Sequence, residues 1–474
     1  MRKARFFALA SVLSLVLAGP AWAQVKQGDL DLTFHSQVEV DFEVRSNYSF
    51  NDNAVDIQTR EGFFTEQETR FWIDAKAGPF ESRVMIEAED FWDTQVAEGG
   101  GDLTNIEQAY GGYDFGPFKM RAGLQVFQLD PAEIVYIDDD FGVRLWNTYD
   151  WGGWNIFWVF NQEGSDAGAA TPNDDRHYFM GNLDLKVAGW TLTPFVAYVN
   201  DQSQGPLSGR VTKELTAYWL GAGAKGNAAG INVLAQFTYV TGEQDIEPTG
   251  SIDIGAWAGF LSLAYPIPGS PLTVEVAGVW MSGDDSSADT DAEGYQGIFQ
   301  DTELLNPQGI WIDDDIIIAP RRANVAQSCS GTAGADACAG TFLLTTDDDF
   351  SPGGTASGTS DFDFDARSAA FTAAAPTNPG NFGLQYYHAA LHYKVTSNFT
   401  VSAMFAHIRA MEDALLGGDA HLGNEYTLHA VWTPHKYFRV TPTLSWLVPG
   451  DAIDNLVGTD DTAFNFITEM MFLF

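Results

Sequence analysis

The chain has 474 residues, with 64 Asp and Glu against 24 Lys and Arg, a net charge of −40 at pH 7. So acidic a chain offers no basic surface to a phosphate backbone, which excludes nucleic acid as a partner, and its field attracts cations and repels anions over a Debye length. The length admits two or three soluble domains or one large barrel, and an aromatic share of 14% favours the barrel, whose walls carry Trp and Tyr girdles.

Residues 1–23 open with Arg2, Lys3 and Arg5, continue in an apolar run from Phe6 to Ala18, and end in Ala21-Trp22-Ala23. A basic start, a short apolar run and an A-x-A site make a secretory signal peptide, too short to span a membrane, so the mature chain is expected to start at Gln24. No later stretch holds 18 consecutive apolar residues. Export then leaves two routes: a soluble periplasmic protein, or a closed barrel that satisfies its own backbone in lipid.

The next stretch decides between them. In residues 30–45, Leu30, Leu32, Phe34, Val38, Val40, Phe42 and Val44 share one parity, while Asp31, Glu39, Asp41, Glu43 and Arg45 share the other. Period two means a strand with one apolar and one wet face. Sixteen such residues reach roughly 50 Å at about 3.3 Å each, far beyond an ordinary soluble strand but suited to a tilted barrel wall. A second strand follows, with Thr69, Phe71, Ile73 and Ala75 outward and Glu68, Arg70, Trp72, Asp74 and Lys76 inward.

Short turns are expected at Gly78-Pro79, Gly116-Pro117, Trp151-Gly152-Gly153, Ala188-Gly189, Gly226 to Gly230, Pro266 to Pro271, Thr396 to Asn398 and Pro434 to Lys436. Longer polar stretches fall at 46–65, 92–104, 128–140, 162–175, 200–212, 242–251, 283–382, 410–423 and 449–461. Eight turns and nine loops join eighteen strands, an even number with both ends on the periplasmic side, although a count of sixteen stays open. Pro194 and Pro442 interrupt strand-like runs and each removes a ladder donor. The fold class is therefore all-β, a transmembrane antiparallel barrel over 24–474 with long outer loops.

The insertion 283–382 exceeds ordinary loop length and could enter the lumen, stand outside as a lid, or move freely. It contains the only cysteines, Cys329 and Cys338, which read as one disulfide in an oxidising compartment. DTDAEG places Asp289, Asp291 and Glu293 like the start of a calcium loop, but Gln300 stands where a bidentate Glu is needed, so a loosely held divalent cation on acidic loops is the most this motif supports. Asp138 to Asp140, Asp313 to Asp315 and Asp347 to Asp349 read as solvated clusters. His388, His392 and His429 face one way and read as polar lining rather than a metal site. No other cofactor is expected. No Gly-x-Ser-x-Gly motif or marked nucleophile appears, so the chain is not expected to be an enzyme.

Three passages carry a family likeness: EQETRFWIDAKAG around Arg70, MSGDDSSADTDAEGYQGIF at 281–299, and GNEYTLHAVWTPHKYFRVTPTLSWLVPGD at 423–451. They resemble outer-membrane barrels of the alginate-export and porin-like type, and Phe474 resembles the aromatic C-terminus read by barrel assembly machinery. The resemblance implies an eighteen-stranded pore in the outer membrane of a Gram-negative bacterium, in contact with lipid and lipopolysaccharide, with a homo-oligomer left open. Alginate exporters need an arginine-rich lumen. Here inward Arg45, Arg70, Arg83, Arg121 and Arg439 share the wall with Asp31, Glu39, Asp41, Glu43, Glu68, Asp74, Glu87 and Glu89, either as a field across the lumen or as a merely solvated wall. The expected function is passive diffusion of small solutes with cation preference. Polysaccharide export and a non-conducting structural or adhesion barrel are the alternatives.

Overall fold

The computed structural model describes residues 24–46, 62–91, 105–162, 176–201, 206–207, 210–247, 250–285, 291–295, 297–298, 312–313, 316–317, 383–413, 418–452 and 462–474. The signal peptide, the Cys329–Cys338 pair, Asp289 and Asp347 to Asp349 lie outside them, as do the side chains of Glu43, Arg45 and Glu89.

Eighteen strands form the wall. They are β1 (Leu30–Ser46), β2 (Gly62–Ala77), β3 (Phe80–Phe91), β4 (Asn105–Asp114), β5 (Lys119–Gln128), β6 (Ile137–Tyr149), β7 (Gly152–Gln162), β8 (Arg176–Val187) and β9 (Trp190–Asp201). The second half comprises β10 (Arg210–Ala228), β11 (Ile231–Glu247), β12 (Gly250–Pro266), β13 (Leu272–Met281), β14 (Leu384–Thr396), β15 (Phe399–Arg409), β16 (His421–His435), β17 (Phe438–Pro449) and β18 (Ala463–Leu473). Each pairs antiparallel with the next, and β18 closes on β1 from Gln37↔Leu473 to Ser46↔Phe464. A short strand, Gln24–Gln27, folds back on Leu30 to Thr33, along the part of the seam that β18 does not reach.

Eight turns lie at one end, the other nine strand-to-strand connections leave from and return to the opposite end, and Gln24 and Phe474 lie on the turn side. The turn chemistry follows from backbone twist. Ala188-Gly189 and Ala229-Gly230 carry positive φ at both central residues (49° and 85°, 53° and 87°), as a type I′ hairpin requires. One expected loop is shorter than the sequence suggests. Gly242 to Ile246 pair with Ile254 to Gly250, so most of 242–251 is strand. From Gly242 to Asp245 neither face carries an apolar side chain, because strand pairing there continues past the stretch where apolar and polar residues alternate.

The two prolines are absorbed on one side each. Pro194 stands opposite Ala222 on β10, while the β8 ladder skips from Leu192↔Leu185 to Phe195↔Asn182. Pro442 stands opposite Thr468 on β18, while the β16 ladder skips from His429↔Thr443 to Trp432↔Val440.

Large apolar side chains cover the outside, among them Phe80, Val84, Ile156, Phe179, Phe237, Val276, Leu391 and Leu428. Exposed apolar area on this scale belongs against lipid, since soluble monomers keep such patches to a few hundred Å². The inside is of two kinds. Between β5 and β13 the lumen is packed with Phe127, Leu129, Ile134, Tyr136, Phe157, Tyr178, Trp219 and Tyr295, all at most 1% exposed. The rest of the wall is polar and charged.

The packed sector exists because the connection after β5 folds inward. Leu129 to Tyr136 run along the inner wall, where Asn182 Nδ2 donates to the Leu129 carbonyl at 2.6 Å and Pro131 sits over Gly223, whose missing Cβ leaves the room. Within the loop, Asp130 accepts the backbone N–H groups of Ile134, Val135 and Tyr136 at 3.0, 3.2 and 3.1 Å. Gln236 on β11 donates to Asp130 Oδ2 at 2.5 Å and accepts the Ala132 N–H at 3.1 Å. The start of the long insertion then joins it. Asp291 and Ala292 pair in parallel with Asp253 and Ile254, Tyr295 donates to the Ile134 carbonyl at 2.7 Å, and the Ile298 N–H reaches the Val135 carbonyl at 2.7 Å. This part of 283–382 therefore lies against the inward loop.

Candidate functional site

The charged lumenal wall spans β1 to β6 and β16 to β18, and its pairing follows from hairpin register. Asp74 and Arg83 are equidistant from the Gly78-Pro79 turn, so they stand opposite each other on β2 and β3. Arg83 donates to both carboxylate oxygens, Nε at 2.7 Å and Nη2 at 3.1 Å. Arg70 and Glu87 are the next such pair at the same height, joined at 2.5 Å, and Arg70 also lies 2.8 Å from Glu68 and 3.9 Å from Glu107. His35 stacks on Trp72 at 4.9 Å and lies 3.3 Å from Asp74.

Arg121 on β5 reaches past a whole strand. Its Nε and Nη2 donate to Glu81 Oε1 on β3 at 3.0 and 2.7 Å, and its guanidinium lies 4.1 Å from the Tyr110 ring. The intervening residue in register is Gly112, where an added Cβ would stand 2.8 Å from Glu81 Cγ. Only a residue without a side chain leaves that path open. On the other flank, Arg439 donates to Glu469 Oε1 at 3.1 and 2.6 Å.

These pairs run along the wall, within one strand or between neighbouring or next-neighbouring strands. The contacts described are thus local to one wall, and hairpin register is what brings Asp74 to Arg83 and Arg70 to Glu87. Of the remaining expected residues, Glu39 accepts from Gln37 at 3.0 Å. Asp41 faces inward opposite Glu469. Asp31 lies at the periplasmic rim, held by Gln24 at 2.7 Å and by Lys26 at 3.2 Å.

The wall also holds residues the sequence reading missed. Glu81 and Glu469 were legible by parity alone. Glu107 was not, because a register shift after Met85 turns it inward. Arg144, opposite Arg121, meets no carboxylate among the described residues. It donates to Asn155 Oδ1 at 3.1 and 2.6 Å, Asn155 donates to Asn182 at 2.8 Å, and Asn182 holds the inward loop.

The acidic clusters and histidines fall into place individually. Asp138 to Asp140 begin β6 rather than forming a solvated loop, and Asp140, 8% exposed, accepts from Tyr136 at 2.5 Å. Inward folding of 129–136 is what buries it. Asp291 and Glu293 are exposed, and among the described residues no group of three ligating side chains could hold a metal ion. His392 meets Ser402 at 2.8 Å and Glu275 at 3.3 Å, His429 meets Thr443 at 2.9 Å, and His388 is buried at 6% exposure. The three do not converge on one point.

No family model matches the chain, and no curated protein matches its sequence. Among solved structures, Pseudomonas aeruginosa OpdK with vanillate aligns at a TM-score of 0.52 and 9% identity, over 94% of this chain and 98% of its own. A second structure of OpdK from the same organism aligns at 0.51 and 8%, over 94% and 98%. Acinetobacter baumannii OccAB4 aligns at 0.49 and 11%, over 95% and 99%. At these identities the likeness is one of fold. The chain is a closed antiparallel eighteen-stranded barrel of the outer-membrane porin-like type.

Proposed function

We infer that the chain is a channel of the Gram-negative outer membrane, passing small solutes passively and preferring cations. One observation carries the preference: four inward arginines, Arg70, Arg83, Arg121 and Arg439, are met by six carboxylates, Glu68, Glu87, Glu107, Asp74, Glu81 and Glu469. An anion entering this wall competes with carboxylates already in place, whereas a cation finds the excess. One uncompensated carboxylate about 5 Å from a passing ion contributes roughly 1–3 kcal/mol at effective dielectric constants of about 80 to 20. That is enough for close to tenfold selectivity.

The test is the reversal potential of the purified barrel in planar bilayers under a salt gradient. Cation preference is expected at low salt and should fade as salt rises, because lumenal charges are screened beyond about 8 Å at physiological ionic strength. Exchanging Glu39→Gln, Asp41→Asn and Glu43→Gln together should weaken it. Anion preference in the native protein would overturn the reading and bring polyanion export forward.

A second reading is a barrel that does not conduct. The dry packing of Leu129 to Tyr136 against Tyr295 and Ile298 favours it, since it fills one sector of the lumen. Channels that insert without carrying current would support it. Export of a neutral or weakly charged polysaccharide stands behind both, carried by the resemblance at 423–451.

A further inference from the structure

The lipid-facing side of β13 to β16 changes character at its outer end. In register across the four strands, one row reads Val276, Ala389, Phe405 and Tyr426. One pair further toward the outer end the row is Gly278, Tyr387, His407 and Asn424, and the next is Trp280, Gln385, Arg409 and His421. The first row is hydrocarbon-compatible and the last two carry an arginine and two imidazoles. The switch marks the boundary between the apolar band and the outer head groups.

The polar rows are organised as one surface. Trp280 Nε1 donates to Tyr387 Oη at 3.2 Å, and Tyr387 Oη donates to Gln385 Oε1 at 3.2 Å. Tyr387 stacks on His407 at 6.5 Å, and His407 stacks on His421 at 5.0 Å. Asn424 bridges the two imidazoles, 2.8 Å from His407 Nδ1 and 3.3 Å from His421 Nε2. Arg409 is exposed and makes no ion pair among the described residues. Glu412, Asp413 and Asp419 belong to the connection above it, and Asp419 directs an oxygen to the His421 backbone N–H at 2.8 Å.

A chain with 24 basic against 64 acidic residues has placed an arginine and two histidines side by side on its lipid-facing outer rim. An exposed guanidinium at this depth matches a phosphate by paired N–H donors, and flanking imidazoles add further donors. The aromatic faces of Trp280 and Tyr387 beside it suit a sugar ring, which has one polar edge and one apolar face. We propose that this rim binds a phosphorylated glycolipid of the outer leaflet, with the phosphate on Arg409 and the His407–His421 pair. The site rests on the outer-membrane placement proposed above and not on conduction, so ion currents and lipid binding can fail separately.

The experiment is native mass spectrometry of the full-length barrel in detergent, with purified bisphosphorylated lipid A, dephosphorylated lipid A and phosphatidylglycerol as probes. Wild type should retain one lipid A at least tenfold more strongly than the other two. Arg409→Gln with His421→Gln should lose that difference while keeping heat-modifiable migration, and Arg409→Lys should restore part of it. Because Arg409 is exposed, Arg409→Gln alone serves if the double variant does not fold, with a partial loss expected. Equal retention of all three lipids, or variants that bind lipid A like wild type, would overturn the proposal.

Discussion

Replacing Asp130 by Ala removes the knot of the inward loop. Its carboxylate accepts three backbone N–H groups and the Gln236 amide, in a setting where the residue is 2% exposed. Each bond is worth roughly 0.5–1.5 kcal/mol net, so losing four costs about 2–6 kcal/mol, or near a thousandfold in the population of the detached loop at the middle of that range. The barrel itself should survive, because no strand pairing passes through Asp130. Gly223→Val attacks the same loop from the wall, since a Cβ there would stand 2.2 Å from Pro131 Cγ. Both variants should therefore fold normally by heat-modifiable migration, yet show higher single-channel conductance with more open-state noise and faster proteolysis between Leu129 and Tyr136. Native conductance and native protease resistance in both variants would refute the idea that these contacts hold the inward loop in place.

Leu391→Arg puts a charge on the lipid face between Val274 and Ala403, well inside the apolar band, and should destabilise the barrel by about 2–4 kcal/mol in urea unfolding from lipid vesicles. Arg70→Gln leaves Glu68 and Glu87 without their cation, so the reversal potential should move further toward cations. Ala229→Gly relieves a φ of 53° in a two-residue hairpin and should raise stability by roughly 1 kcal/mol, read from the same unfolding curves.

Much of the wall was legible because period two and turn residues are local signals. The alternation at 30–45 and the Gly78-Pro79 turn together place β1 to β3 and even pair Asp74 with Arg83. Besides the inward turn of Glu107, three things were not legible. The outer part of β11, Gly242 to Asp245, carries no apolar side chain on either face, so it read as loop. The inward course of 129–136 depends on Gln236 and Tyr295, each about a hundred residues or more away, and nothing in LDPAEIVY names those partners. The Arg121–Glu81 contact depends on what Gly112 lacks, which neither parity nor charge reports.

The inward loop and the charged wall are joined by side chains. Arg144 stands in register with Arg121, and its guanidinium holds Asn155, which holds Asn182, which holds the carbonyl where the inward loop begins. A shift of Leu129 therefore changes how Asn182 and Asn155 orient, and with them the one inward arginine that meets no carboxylate among the described residues. Freed from Asn155, Arg144 becomes a mobile cation beside Arg121 and offsets some of the carboxylate excess. Loop release and cation preference should then change together: the Gly223→Val channel that conducts more should also discriminate less, even though the substitution leaves every charged residue in place. An open lumen with unchanged selectivity would instead require the asparagine chain to be mechanically idle. The consecutive bonds of 2.6 Å from Arg144, 2.8 Å between the asparagines and 2.6 Å to Leu129 argue against that.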